Sequence, residues 1–228
     1  MLTTLATLDK TLGHNKRAIQ KGATLTAEGD MSQQRYCVME GWLAVSQSLP
    51  DGERFILEFV LPGETYDPTG ADGLTSFVQL EALCDAVVVA ISMTTWTRLL
   101  QEHPDLWRSD RVLADALRVR WSERMLRLGK SSAETRIAYI LIELCLRLTG
   151  GKAVEECAFH VPLGQQQLGD YAGLSSVHVC RTLRRLNRQG VITTRDHMDI
   201  CVHDLSTLED LAAVDLETLR KEIVPATA

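Results

Sequence analysis

The sequence predicts an α+β chain in which an N-terminal antiparallel β structure is followed by one long helix and then by short helices ending in a β-hairpin. Three observations carry this. Apolar runs broken by Gly-Asp, Asp-Gly and Pro-Gly pairs fill residues 22–62 with a second apolar run at 83–92, one unbroken helical stripe fills 104–129, and after 161 the pattern shortens to helices around a Gly-containing turn.

"ATLTAEGD", "QRYCVMEG" and "WLAVSQSLPDGERFILEFVLPGE" read as strands with breaks at Gly29-Asp30, Asp51-Gly52 and Pro62-Gly63. An Asp-Gly pair between two apolar-rich runs is a hairpin signal, and "LCDAVVVAIS" at 83–92 is β-branched enough for a buried strand. Pro104 then suits a first helical turn, and no further Pro or Gly intervenes before Gly129. Leu106, Leu113, Leu117, Trp121, Met125 and Leu128 recur at helical steps, with arginines and acids filling the other side. One apolar stripe on so long a helix is either a buried spine or a seam between two copies.

"SSAETRIAYILIELCLRLTGG" reads as a second helix, started by a Ser131/Ser132 cap with Glu134 in its first turn and stopped by Gly150-Gly151. "GQQQLGDYAG" and "SSVHVCRTLRRLNRQG" follow as short helices, then "VITT" and "DICV" as strands joined by "RDHM". Helix, turn, helix, hairpin is the winged helix-turn-helix order. The C-terminal "DLSTLEDLAAVDLETLRKEI" is amphipathic and acidic, and is expected to pack on this domain or on a neighbour. The expected division is 1–103 for the β domain, 104–130 for the long helix and 131–228 for the winged domain with its helical tail.

A chain of 228 residues, 45% hydrophobic and 24% charged, is globular rather than disordered. "MLTTLATLDKTLGHNKRAIQ" has polar residues every few positions, and no apolar run reaches the roughly 20 residues of a spanning helix, so a cytoplasmic protein with no membrane partner is expected. The six cysteines (Cys37, Cys84, Cys145, Cys157, Cys180, Cys201) stand singly, without CxxC spacing, which predicts free thiols rather than a disulfide framework or zinc site.

The net charge of −6 argues against a surface that is basic throughout, yet residues 171–195 contain no Asp or Glu and hold Arg181, Arg184, Arg185, Arg188 and Arg195. Steps of about 100° per residue put Val179, Leu183, Leu186 and Ser175 on one side of a helix and Arg181, Arg184, Arg185 and Arg188 on the other. A solvated face normally mixes acids with bases. An acid-free arginine face suits bidentate recognition of phosphate or guanine, and Ser175 at the N-cap adds a phosphate-receiving helix start.

The stretch "LGQQQLGDYAGLSSVHVCRTLRRLNRQGVI" resembles the helix-turn-helix of the Crp/Fnr superfamily of bacterial transcription regulators, with concordant "EGD", "DGE", "PGE", "HPDL" and "AETRIAYILIEL" elsewhere. The resemblance implies a cyclic-nucleotide-binding-like β-roll, a dimerisation helix and a winged helix-turn-helix. It also implies a homodimer reading an inverted repeat in double-stranded DNA, with RNA polymerase as a further partner. Ser176, Val177 and Arg181 fall where family members reach base edges; Gln165, Gln166, Ser175, His178, Arg184, Arg185 and Arg188 are candidates for phosphate or edge contacts. Valine at 177 replaces the family's cytosine-reading glutamate and offers only apolar contact.

The sensing region departs from the resemblance. "GETYDPTGADGLTSFVQLEAL" has no arginine between Arg54 and Arg98, which disfavours a cyclic phosphate, and residues 1–36 contain no cysteine, which disfavours the family's iron-sulfur cluster. No cofactor is predicted and the effector is left unassigned. Cys180, at the border of the arginine face, is a candidate redox thiol, although packing is its simpler role. No nucleophile elbow, metal motif or phosphate loop is present, so no enzyme is expected. The alternative is a small-ligand or redox sensor acting through a protein partner, with the basic helix as its docking face.

Overall fold

The computed structural model describes residues 15–151, 157–195 and 199–224, so the first part of the N-terminal stretch and most of the "RDHM" turn lie outside the described residues. It divides into two compact units that meet in sequence at Leu113 and Ala114, within the long helix.

The first unit carries β1(Lys16–Ile19), β2(Thr24–Thr26), β3(Gln34–Glu40), β4(Leu43–Ser48), β5(Arg54–Val60), β6(Thr65–Tyr66), β7(Gln79–Ala82) and β8(Ala86–Ser92). They form two antiparallel sheets in the orders β1-β8-β3-β6 and β2-β7-β4-β5. Alternation sets the core: Val38, Leu43, Val45, Ile56, Phe59, Leu80 and Val88 are all buried. The Asp51-Gly52 signal is met by a turn in which Leu49 N–H donates to Glu53 O, with Gly52 at φ 89°. Gly41, between β3 and β4, is required sterically, since a Cβ there would lie 2.5 Å from the carbonyl oxygen of Asp85.

Helix α1(Met93–Glu102) was not marked by the sequence pattern, its first turn being threonine-rich. It forms because Ser92 caps it by accepting from Thr95 N–H, and because Trp96 and Leu99 reach Cys37, Val89, Ile91 and Leu106. Helix α2(Pro104–Lys130) follows at once. Its early turns are seated by Arg35 of β3, which donates to Thr65 Oγ1 at 3.0 Å and Asp110 at 2.7 Å while stacking on Trp96. Burial pushes the Asp110 carboxyl up, and the Arg35 guanidinium opposes that shift.

The second unit is built on α3(Ala133–Thr149), capped by Ser132 and ended by Gly150 at φ 64°. Residues 137–147 of α3 are buried, so this helix is the centre of the unit. Around it lie α4(Gln165–Ala172), α5(Ser176–Arg188), α6(Leu205–Ala212) and α7(Leu216–Ile223), with β9(Cys157–His160), β10(Ile192–Arg195) and β11(Asp199–Val202) in the sheet order β10-β11-β9. Strand β9 extends the expected hairpin to three strands. The acidic tail packs as expected on the winged domain, since Leu208, Ala212, Leu219 and Ile223 are buried and α6 and α7 contact α3.

Two expectations are corrected. Arg120, Arg124 and Arg127, assigned by periodicity to the polar side of α2, are 1%, 7% and 6% exposed; they belong to the second unit, within which Arg124 meets Tyr171 and Glu143 and Arg127 meets Tyr139. Cys145, expected as a free thiol, is disulfide-bonded; it lies on α3, which packs on β9. Cys37, Cys84, Cys180 and Cys201 are free.

The turn between α4 and α5 depends on the Leu168-Gly169 pair. Leu174 N–H donates to Gly169 O, and a Cβ on residue 169 would meet Leu174 O at 2.4 Å. Gly169→Ala is expected to cost about 1–3 kcal/mol of stability through this backbone clash, read as a lowered urea midpoint with unchanged m-value.

Candidate nucleic-acid interface

Helix α5 is amphipathic in the sense its sequence predicts. Val179, Thr182, Leu183 and Leu186 are at most 4% exposed and pack against the unit's core, which fixes the opposite face outward. Ser175 caps the helix, its Oγ accepting from His178 N–H at 3.4 Å and lying 2.9 Å from His178 Nδ1. At the other end Gly190, at φ 74°, lets Val191 N–H reach Leu186 O, and the chain turns into β10.

An open concavity of about 780 Å³ lies along the outward face, lined by Gln165 from α4 and by Ser176, Val177, Cys180, Arg181, Arg184, Asn187 and Arg188 from α5. Among the described residues, three guanidinium groups and no carboxylate line it. Val177, an apolar side chain at the helix start, is 64% exposed. The surface presents planar cationic donors, two amides, the first backbone N–H groups of α5 and one apolar tip. That chemistry matches phosphate oxygens, base edges and a thymine methyl.

The other candidates are placed elsewhere. Arg185 turns to α3, where its Nε lies 3.1 Å from Glu134 Oε1, and so docks the helix rather than lining the concavity. Gln166 donates to Asp170 Oδ1 at 2.7 Å, while Ser175 and His178 form the cap. Asn187 is the lining residue the sequence reading passed over. Its helical angle, between Cys180 and Ser176, was the available signal, and its amide also donates to Thr194 Oγ1 of β10 at 3.4 Å. Cys180 lines the concavity and is half-buried.

The stretch that the resemblance would assign to an effector is satisfied from within. Asp67 Oδ1 accepts from Thr69, Asp72 Oδ1 accepts from the N–H groups of Leu74 and Thr75, and Ser76 Oγ donates to Val78 O. These backbone bonds hold the Asp72 carboxyl down at about 2. Glu64 is buried and accepts from Leu61 N–H, closing its own turn. These residues do not fit a cyclic phosphate, for which the loop supplies carboxylates and no guanidinium. Among the described residues no three His, Cys, Asp or Glu side chains converge as metal ligands, and no helix is long and apolar enough to cross a membrane.

Comparison with known proteins agrees with this geometry. Residues 135–211 match the Crp-like helix-turn-helix domain and residues 16–103 the cyclic nucleotide-binding domain. The nitrogen fixation regulation protein FixK of Bradyrhizobium diazoefficiens is 31% identical over 192 residues, covering 84% of this chain and 79% of that protein. The transcriptional activator protein FnrA of Stutzerimonas stutzeri is 29% identical, covering 77% and 72%. In structure the chain is similar to FixK2 from Bradyrhizobium japonicum, at TM-score 0.76 and 23% identity over 88% of this chain and 98% of that one. A β-roll of this kind, a long helix, a reading helix with an acid-free arginine face and these matches place the chain in the Crp/Fnr family of helix-turn-helix transcription regulators.

Proposed function

We propose that the protein is a homodimeric regulator that reads an inverted repeat in double-stranded DNA through α5, without cyclic AMP as its effector. The observation that carries the reading is the concavity on α5, where Arg181, Arg184 and Arg188 stand opposite a fully buried stripe, with no carboxylate among the described lining residues. Arg181 lies where a guanidinium can fork onto a guanine, and Val177 beside it suits a thymine methyl. Arg184, Arg188 and Gln165 suit phosphates or the edge of the site.

The dimer reading is supported by α2. Its predicted stripe splits, with Leu106 entering the core of the first unit while Trp107, Ala114, Trp121 and Leu128, spaced by seven, share a side with Leu117 and Met125. Trp107 and Met125 are 56% and 68% exposed in the single chain. A heptad seam of this kind is buried by a second copy of the helix, and a two-fold pair of α5 helices reads half-sites one helical turn apart. The self-satisfied loop at 67–76 supports control by something other than a cyclic nucleotide. Relatives named as transcriptional activators point to RNA polymerase as the further partner.

Cys180 supports a thiol-sensitive version of the same reading. It stands between the core stripe and the arginines, so a bulky or charged adduct on its sulfur enters the surface that meets DNA. Cys37, by contrast, is buried, and burial pushes its thiol up to about 12. Iodoacetamide at pH 8 is expected to modify Cys180 before Cys37 and to abolish DNA binding. Cys180→Ser is expected to keep binding after the same treatment; loss of binding in that variant too would remove Cys180 from the account.

Arg181→Ala is expected to cost about 1–3 kcal/mol on the preferred duplex and to relax the preference at one base position. Arg188→Ala should weaken all duplexes alike and reduce the slope of log K against log salt by about 1. Fluorescence anisotropy with duplexes enriched from a random pool measures both. Binding by the two variants that equals wild type on every duplex would leave the protein-docking reading of the basic face in its place.

A further inference from the structure

Ser131 and Ser132 join α2 to α3. One side chain spans that stretch. Arg136, in the first turn of α3, donates through Nη2 to Leu128 O at 2.8 Å and through Nε to Ser131 O at 3.3 Å. Through Nη1 it reaches Gly173 O at 3.3 Å and Ala172 O at 3.5 Å, at the turn between α4 and α5.

All of these acceptors are main-chain carbonyls at or beside the C-terminal ends of α2 and α4. The last carbonyls of a helix lack intrahelical partners and carry its negative dipole end. Two such ends converge on one cation, and the planar fork of arginine bonds both at once, which the single ammonium of lysine cannot reproduce.

We propose that Arg136 is a positioning residue for DNA reading: its guanidinium ties the turn of the helix-turn-helix to the last turn of α2, and so fixes the direction in which α5 leaves the long helix. The inference rests on the dimeric, DNA-reading proposal above. The same end of α2 is held at two further points. Arg124 stacks on Tyr171 of α4 at 4.2 Å, and Tyr171 in turn donates to Glu143 of α3. Arg127 stacks on Tyr139 at 4.1 Å and donates to the carbonyls of Ala212 and Ala213, where α6 ends in a left-handed alanine at φ 51°. The last turns of α2 thus belong mechanically to the reading domain. In a dimer paired along α2, this sets the separation and angle of the two α5 helices, which is the quantity that half-site spacing reports.

The test compares full-length wild type with Arg136→Lys and Arg136→Met on an inverted repeat enriched by wild type from a random duplex pool. The same repeat with its central spacer lengthened or shortened, and a single half-site, complete the set. Both variants are expected to keep the half-site base preference and to lose the discrimination between correct and altered spacing by about tenfold or more, the order of one misplaced base contact. Thermal unfolding of each variant is measured alongside, and Arg136→Lys, which keeps the charge, covers the case in which Arg136→Met does not fold.

Spacing discrimination equal to wild type in either folded variant would overturn the proposal. Half-site preference lost in parallel with spacing discrimination, in step with a lowered melting temperature, would also overturn it and leave Arg136 a role in stability alone. A wild type that enriches no inverted repeat would overturn the dimeric reading itself, a failure distinct from that of Arg136.

Discussion

A carboxylate with no solvent exposure, that of Glu143, lies at the centre of the second unit, and the arrangement of its helices depends on how that charge is met. Burying an unpaired carboxylate costs several kcal/mol, so the surrounding chain has to bring donors to it. Arg147, one turn on in α3, donates at 3.0 Å, and Tyr171 of α4 donates its hydroxyl at 2.8 Å. Arg124 of α2 brings a guanidinium to 3.9 Å of the other oxygen and lays it over the Tyr171 ring. Three helices therefore converge on one group with directional bonds, where apolar packing alone would tolerate sliding. Removing a partner leaves the buried charge of Glu143 less compensated, which couples the placement of α2, α3 and α4.

The same logic explains how an acidic chain presents a basic surface. Its carboxylates are spent on local structure: Asp204 and Asp215 cap α6 and α7, Asp67 and Asp72 close their own loop, and Glu134 takes Arg185. None of these lines the concavity on α5, so the net charge of −6 says little about the potential there. Within a Debye length of about 8 Å at physiological salt, a phosphate meets the three lining arginines rather than the whole-chain average.

What was legible in the sequence is what short-range periodicity encodes. The α5 stripe, its Ser175 cap and the Gly-Leu-Ser turn are set by residues three or four apart, and each is found where the pattern puts it. The hairpin at Asp51-Gly52 is equally local. What was not legible depends on partners distant in sequence. Arg185 shares a helical face with Arg181, and only Glu134, some fifty residues earlier, draws it away from the concavity. Arg120, Arg124 and Arg127 look like a solvated face because arginine usually is; Arg124 is buried against Glu143 and Tyr171 and Arg127 against Tyr139, partners that no pattern within α2 can reveal. Helix α1 hides for a related reason, since its threonines are poor helix formers and the element is held by Trp96 and Leu99 in a core built from β3 and β8.

The β-roll commits its polar groups to its own structure. The loop that would receive a phosphate satisfies its polar atoms with its own backbone, and it carries no arginine. The nearby cation, Arg35, is committed instead to Asp110 of α2, to Thr65 and to the face of Trp96. A guanidinium held by a carboxylate, a hydroxyl and an indole is already neutralised and oriented, so a ligand anion would have to displace Asp110 to use it. The charge of Arg35 is therefore committed to seating the early turns of α2.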